Sequence, residues 1–471
     1  MAPTGSSSEH KTIKKSRYFL TWRWHFYAGL FVVPFMLMLC FTGIVMLFDD
    51  EIEQFRYQSI ISVDVGEQAA AVSEQLLAVE KQFPDSTVTQ FIPAKQADLA
   101  NRFNVRHQDG SSVFVTVNPY SGEVLGEIDR SDSWYQLAND IHGTLLIGDM
   151  GDYLIEVAAS LSILLLVTGV YMWLPTDNVT KSGFLRLRFS QGSRILLRDL
   201  HANIGGVFAL VLLFFVLSGL AWAGFWGGKM VQAWSSFPAQ KWDEVPLSNL
   251  THKDLNHGSE EELPWNLEQT PVPASHDHAN MGHEAMETNR SFASQIDHIV
   301  RQGQQLGFTD YRLNLPRSET GVFTFTANTM SGDITNPTQD RTTHIDQYSH
   351  QVLADVTWQD YNLMAKAMAA GIALHTGDIT PVNKWANVLV CLLFIAVSIS
   401  GVIMWWQRRP SGQKRLGVPP RFEHNGLWRT GVFTVVLTGV CFPLAGLTIV
   451  AMLLLDWVLF SRVKSLQYAL S

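Results

Sequence analysis

The stretch Trp22-Arg23-Trp24-His25-Phe26-Tyr27-Ala28-Gly29, closed by Thr42-Gly43 at the far end of the same apolar run, decides the reading of this chain. It recurs as His201-Ala202-Asn203-Ile204-Gly205, closed by Ser218-Gly219, and in both places the second glycine stands 18 residues after the histidine. A match in register of this kind marks an internal repeat. Two further apolar runs agree with it, Thr168-Gly169-Val170-Tyr171-Met172-Trp173 against Ser400-Gly401-Val402-Ile403-Met404-Trp405. A last run carries Thr438-Gly439 without a counterpart.

Outward from these motifs the chain, 471 residues with 47% apolar and only 16% charged, leans away from an ordinary soluble protein. Five runs, 26–48, 157–174, 202–226, 385–406 and 431–455, are uncharged over about the 20 residues that cross a bilayer. They are read as five transmembrane helices, with spans at 26–48, 151–175, 201–226, 385–406 and 431–460. Lys and Arg crowd the segment 1–25 and the loops 176–200 and 407–430, which the positive-inside rule makes cytoplasmic. The long segments 49–150 and 227–384 then face the other side, and so does the tail 461–471. The first span is too long for a cleaved leader and is followed by Asp49-Asp50-Glu51 rather than a small-residue cleavage site, so it reads as a retained anchor. The three cysteines, Cys40, Cys391 and Cys441, all fall in apolar runs and read as packing residues. A net charge of −9 argues against nucleic acid as a partner.

The exported segments repeat too. Val117-Asn118-Pro119-Tyr120-Ser121-Gly122-Glu123-Val124 echoes Ile345-Asp346-Gln347-Tyr348-Ser349-His350-Gln351-Val352, each as a hairpin turn after a strand-forming run, 114–117 and 321–326. Amphipathic helices are expected before them, at 67–82 and 291–306, so each exported segment reads as a small α+β domain. The second is about 52 residues longer, and the extra sequence near 235–290, rich in Pro, Asn and His, reads as a mobile loop.

Four of the 15 histidines occupy equivalent places: His25 and His201 at the cytoplasmic ends of spans one and three, His142 and His375 in helical stretches (133–146 and 360–376) just before spans two and four. Two ligand pairs on opposite membrane faces follow, each with one histidine per repeat. Ionisable groups at membrane depth are candidates for function, and imidazole suits haem iron in a helical bundle. Zinc would ask for four ligands including Cys, Asp or Glu, and no such residue repeats beside these histidines on the cytoplasmic side. Gly29, Gly43, Gly205, Gly206 and Gly219 offer room for a flat ring. Interfacial histidines with no cofactor are the alternative. Gly148-Asp149 and Gly377-Asp378 are expected to break the pre-span helices, and Asp152, Glu156 or Asp378 to orient a ligand ring or cap a helix. His276, His278 and His283, with Met281 and Met286, could hold copper or another soft-to-borderline ion, or belong to a polar loop; His424 reads as a solvated histidine.

These features together resemble the PepSY-associated transmembrane proteins, also called iron-regulated membrane proteins, which include bacterial dihaem ferric-siderophore reductases. The resemblance rests on Trp22-Arg23-Trp24-His25 with Gly29, the hairpin 118–124, Leu374-His375-Thr376-Gly377 and the Thr-Gly and Ser-Gly helices. It implies a protein of the bacterial inner membrane holding two haems b per chain, on His25 with His201 and on His142 with His375. Such a protein passes electrons to a periplasmic ferric-siderophore or other ferric chelate and releases Fe(II), which oxygen chelators hold weakly. Two departures are His350, where the hairpin expects glycine, and the histidine-bearing insertion. No dinucleotide fingerprint occurs in a cytoplasmic segment, so the electrons are expected from quinol or a separate reductase. Rival readings are a haem electron-transfer subunit serving a protein or copper acceptor, and a haem-free PepSY sensor.

Overall fold

The computed structural model describes residues 5–175, 178–231, 241, 244–256, 263–264, 267–275, 291–410, 416–419 and 428–455. Along the chain come helices α1 (Gly5–Leu47), α2 (Asp49–Ile61) and α3 (Val72–Gln82), then strands β1 (Thr87–Ile92), β2 (Asn101–Arg106), β3 (Ser112–Val117) and β4 (Val124–Ile128). Next are α4 (Trp134–Thr144), α5 (Asp149–Trp173), α6 (Asn178–Gly183), α7 (Ser193–Val207) and α8 (Ala209–Leu220). Short strands β5 (Leu247–Thr251) and β6 (Pro271–Pro273) precede α9 (Ala293–Gln305). Strands β7 (Arg312–Asn314), β8 (Val322–Ala327), β9 (Arg341–Asp346) and β10 (Val352–Thr357) follow. The chain then runs through α10 (Leu363–Thr376), α11 (Pro381–Arg408), α12 (Arg429–Cys441) and α13 (Pro443–Leu455).

These elements form two compact units. The helical unit takes Met1–Val45, Ala138–Val231 and Ala386–Ser471; the sheet unit takes Met46–Leu137 and Gln232–Trp385.

In the helical unit, Arg17–Leu47 within α1, α5 and α11 are each long and apolar enough to cross a membrane, so the chain is a multi-pass membrane protein. The third and fifth runs differ from single straight spans. α7 and α8 bend by 63° where Phe208 leaves helical geometry, just after the helix-weakening pair Gly205-Gly206. The fifth run is split at Phe442, because Pro443 has no N–H to continue α12 and instead opens α13. The carbonyl of Cys441 at that break accepts a bond from the Trp226 indole at 2.8 Å, and Trp226 stacks on Phe442. Apolar surroundings demand such a partner for a freed backbone group.

In the sheet unit, the two segments expected as separate small domains share one antiparallel sheet in the order β10-β9-β8-β7-β1-β2-β3-β4. The join is β1 with β7, where Gln90 faces Asn314 and Phe91 faces Leu313, and the Gln90 amide donates to Asn314 Oδ1 at 3.0 Å. Each half runs helix then four strands. α3 and α9 lay Leu76, Val79, Ile296 and Ile299 against Phe91, Phe103, Phe323 and Phe325. Fully burying such a side chain contributes about 1.5–3 kcal/mol. The fit is close at Gly303, where a Cβ would fall 2.4 Å from the Phe325 ring.

The inserted sequence, expected as a mobile loop, is in part packed on the sheet. β5 pairs with β6, Leu255, Leu263 and Val272 bury against Val322, and Leu267 buries against Val356 and Tyr361. Its apolar residues are too irregularly spaced to declare a helix or strand, yet Leu255, Leu263, Leu267 and Val272 bury against the sheet's second half, while Leu247 and Leu250 stay exposed. His276, His278 and His283 lie outside the described residues, as does His424.

Candidate functional site

In the helical unit α1 carries His25 and α7 carries His201, and their rings face each other with centroids 6.2 Å apart and planes at 83°. Each ring is held from behind by a helix named in the sequence motifs. His25 Nδ1 is 2.9 Å from Thr168 Oγ1 on α5, and a Cβ on the adjacent Gly169 would come within 3.3 Å of the His25 ring. His201 Nδ1 donates to Val397 O at 2.9 Å and lies 3.1 Å from Ser400 Oγ on α11, with Gly401 again 3.3 Å from the ring by the same measure. The pairing of His25 with His201 expected from the repeat is therefore brought together, and the Thr-Gly and Ser-Gly dipeptides turn out to seat the rings.

His142, in the last turn of α4, has the same kind of seat: Nδ1 is 2.8 Å from Thr42 Oγ1 on α1, beside Gly43. The turn that follows it is strained, with Leu145 and Leu146 at φ 53° and 60°, and Gly148 at φ 62° makes the break expected there. His375 sits in the last turn of α10 in the sheet unit, on a helix capped by Asn362 at its start and ended by Gly377 at φ 87°. Because His142 and His375 belong to different units, their pairing stands on the sequence correspondence.

The loop leading into α7 is pinned by charge. Asp199, 2% exposed, takes a two-point contact from Arg188 at 2.6 and 2.7 Å. Asn203 accepts from the Trp173 indole at 3.0 Å and donates to Gly183 O and Arg186 O, tying α7 to the end of α5. Near His25, Arg408 lies over the rings of Trp22 and Phe26, at 4.7 and 5.2 Å from their centroids, and Arg23 donates to Tyr27 and to Pro419 O. Asp152 and Glu156 serve backbone rather than imidazole. Asp152 accepts from Gly224 N at 3.0 Å and Glu156 from Phe225 N and Trp226 N at 3.2 and 3.1 Å, so both cap the chain leaving α8.

Residues 22–408 match the family described as PepSY-associated TM region, well over half the chain. The chain belongs to the PepSY-associated TM region family. No curated protein matches it.

What this family member could hold between His25 and His201 follows from its small residues. At Gly205, one turn from His201 on α7, a Cβ would meet nothing within 4 Å, and at Gly29, one turn from His25 on α1, only Leu165 Cδ2 at 3.8 Å. Both ligand helices are thus open one turn beyond the ring, as a flat macrocycle requires. Gly206 does a different job from the one expected of it, since a Cβ there would fall 2.2 Å from the Trp173 ring, making it the contact that lets α7 approach α5. Among the described residues no cluster of three or more His, Cys, Asp or Glu could hold a metal ion, which a structural zinc would need.

Sequence reasoning missed a second close pair. His252 and His344, both fully buried in the sheet unit, have Nε2 atoms 3.0 Å apart. His252 was lost among the histidines of the insertion, and His344 looks like any inward residue of a strand. Burial pushes both down, His252 to about 4 and His344 well below the ordinary range, the second further lowered by its neighbour.

Proposed function

We propose that this protein is a b-type dihaem oxidoreductase of the bacterial inner membrane that carries electrons across the bilayer to a ferric-siderophore or other ferric chelate in the periplasm. The observation that carries the proposal is the 6.2 Å spacing of the His25 and His201 rings. A metal–imidazole bond of about 2 Å, with roughly 1 Å more from that nitrogen to the ring centre, puts two opposed axial ligands about 6 Å apart, centre to centre. The seats behind the rings and the open surface at Gly29 and Gly205 fit the same group.

Haem bound there supplies one-electron exchange between Fe(III) and Fe(II). His25 and His201 would hold one haem toward the cytoplasmic face, and His142 and His375 would hold the second toward the periplasm. Arg23, two residues before His25 on α1, and Arg408, over the Phe26 ring, would supply positive charge toward the propionates. The sheet unit is the receiving side. There one electron reduces each chelated Fe(III) to Fe(II), and the chelator, unchanged, releases the softer ion. In this reading the chain is two copies of one span–sheet–span unit, fused, with 431–460 added.

Purified protein is expected to show the reduced bands of a low-spin b cytochrome and two haems per chain, and membranes containing it to reduce a ferric hydroxamate chelate with quinol or a reductase as donor. A chain that carries no haem when expressed in haem-replete cells overturns the proposal and favours the haem-free sensor. Haem without chelate reduction would leave an electron-transfer subunit for another acceptor. A copper acceptor would then show as lost copper reduction on removing 277–289, the stretch holding His278 and His283.

A further inference from the structure

We infer that the hydroxyl of each Thr-Gly or Ser-Gly dipeptide is a positioning residue that fixes the tautomer of its histidine and thereby tunes the proposed haem; the inference rests on the function proposed above. The geometry is most decisive at His201. Val397 O can only accept, so the proton must sit on Nδ1, and Nε2 is left with its lone pair. The same assignment follows at the other two rings from where the hydroxyl protons go. Thr168 Oγ1 is 2.6 Å from Leu164 O and donates to it, so toward His25 it acts as acceptor. Thr42 Oγ1 is 2.9 Å from Met38 O and donates there, so toward His142 it too accepts. In all three cases a helix turn has taken the hydroxyl proton and handed the imidazole an acceptor, which forces Nδ1–H and presents a bare Nε2. The glycine that follows each hydroxyl lets the ring come close: a Cβ at Gly169 or Gly401 would stand 3.3 Å from the ring carbon. The pair works as one device, hydroxyl for the proton and glycine for the approach. Ser218-Gly219 is the fourth member by sequence, and its hydroxyl is likewise committed, to Phe214 O at 2.8 Å.

The chemical consequence has a sign. An acceptor on Nδ1–H makes the imidazole more basic and favours the ferric state, lowering the potential. Removing it raises the potential. The three seats are built alike: each ring also meets the backbone carbonyl three residues before its hydroxyl, Leu165 for His25, Leu39 for His142 and Val397 for His201.

The test is a spectroelectrochemical titration of full-length protein with haem content measured beside it. Thr168→Val is expected to raise the midpoint of one haem and Thr42→Val that of the other, with both haems retained. Thr168→Ser is expected to return the wild-type value. Ser400→Ala should shift the first haem in the same direction as Thr168→Val, and Ser218→Ala should act on the second haem. Loss of a single haem in a valine variant, recovered in the serine variant, would equally support a positioning role. Haem bound at unmoved potentials in Thr168→Val and Thr42→Val overturns this inference alone; wild-type protein without haem overturns it together with the proposed function.

Discussion

Two histidine pairs, one in each unit, differ by little more than 1 Å in ring spacing. His25 and His201 stand with ring centres 6.2 Å apart at 83°; His252 and His344 stand at 5.0 Å and 70°. The smaller spacing closes the second pair on itself. His252 must donate its Nδ1 proton to Thr270 O at 2.7 Å, so its Nε2 accepts from the Nε2–H of His344 at 3.0 Å, and the Thr324 hydroxyl donates to His344 Nδ1 at 2.9 Å. That chain of three bonds is self-consistent and locks the insertion to β8 and β9. The wider pair has the spacing on which the proposed haem site rests. Burial alone would favour His252 and His344, the more deeply enclosed, over the proposed ligand pair; ring separation is the ground for choosing His25 and His201.

The largest expected effect breaks or makes this distinction. His25→Ala and His201→Ala should each remove one haem of the two, an all-or-none change in the pyridine haemochrome assay, while His252→Ala and His344→Ala leave haem content unchanged. Haem lost from the His344 variant, or kept in both helical-unit variants, would reverse the assignment of the two pairs.

The next effect concerns pH and the sheet unit only. With its folded value depressed to about 4 against 6.5 when exposed, His252 binds its proton more readily in the unfolded chain. Stability from this group is therefore complete above about pH 6.5 and drains away as the pH falls toward 4. A shift of that size corresponds to roughly 3 kcal/mol. Asp340, pushed up to about 7 by burial, works in the opposite sense and gains stability for the fold as the pH falls. The His252 contribution is thus read as a signed difference: on acidification from pH 6.5 to 4, sheet-unit amides in the full chain should lose less protection, or gain more, in His252→Gln than in wild type. Equal slopes would mean that the imidazole pair does not titrate on unfolding.

How much of this was legible beforehand divides along physical lines. Features set by neighbours in sequence were readable: the uncharged lengths that became α1, α5 and α11, the alternation that became β3 and β8, and the helix breaks at Gly148 and Gly377. Internal correspondence added a long-range fact, the meeting of His25 with His201. Bends were not seen at Phe208 because hydropathy has no direction, although Pro443 after Phe442 is a local signal for the split of the fifth run. The fusion of the two strand sets through β1 and β7 had no signature, because Gln90 and Asn314 acquire meaning only once they face each other. The dipeptides Thr168-Gly169 and Ser400-Gly401 were noticed for their spacing, while their chemistry needed the hydrogen bonds.

The smallest effect compares the two hairpins of the sheet. Gly122 takes φ 71° in the first turn, and His350 takes φ 58° at the same place in the second. A side chain in this region costs about 1–2 kcal/mol, so Gly122→Ala should destabilise the first half by about 1 kcal/mol. His350→Gly should gain less than that. Glycine is more flexible in the unfolded chain, which offsets about 0.5–1 kcal/mol, and the substitution also removes the ring that lies 5.0 Å from His298 at a 33° tilt. If that stacking is what tolerates a histidine in a glycine's conformation, His350→Gly should stabilise the sheet more in a His298→Ala background than in wild type, a coupling that a double-mutant cycle on exchange protection reads directly. Equal gains in both backgrounds would leave the strain at His350 uncompensated by its neighbour.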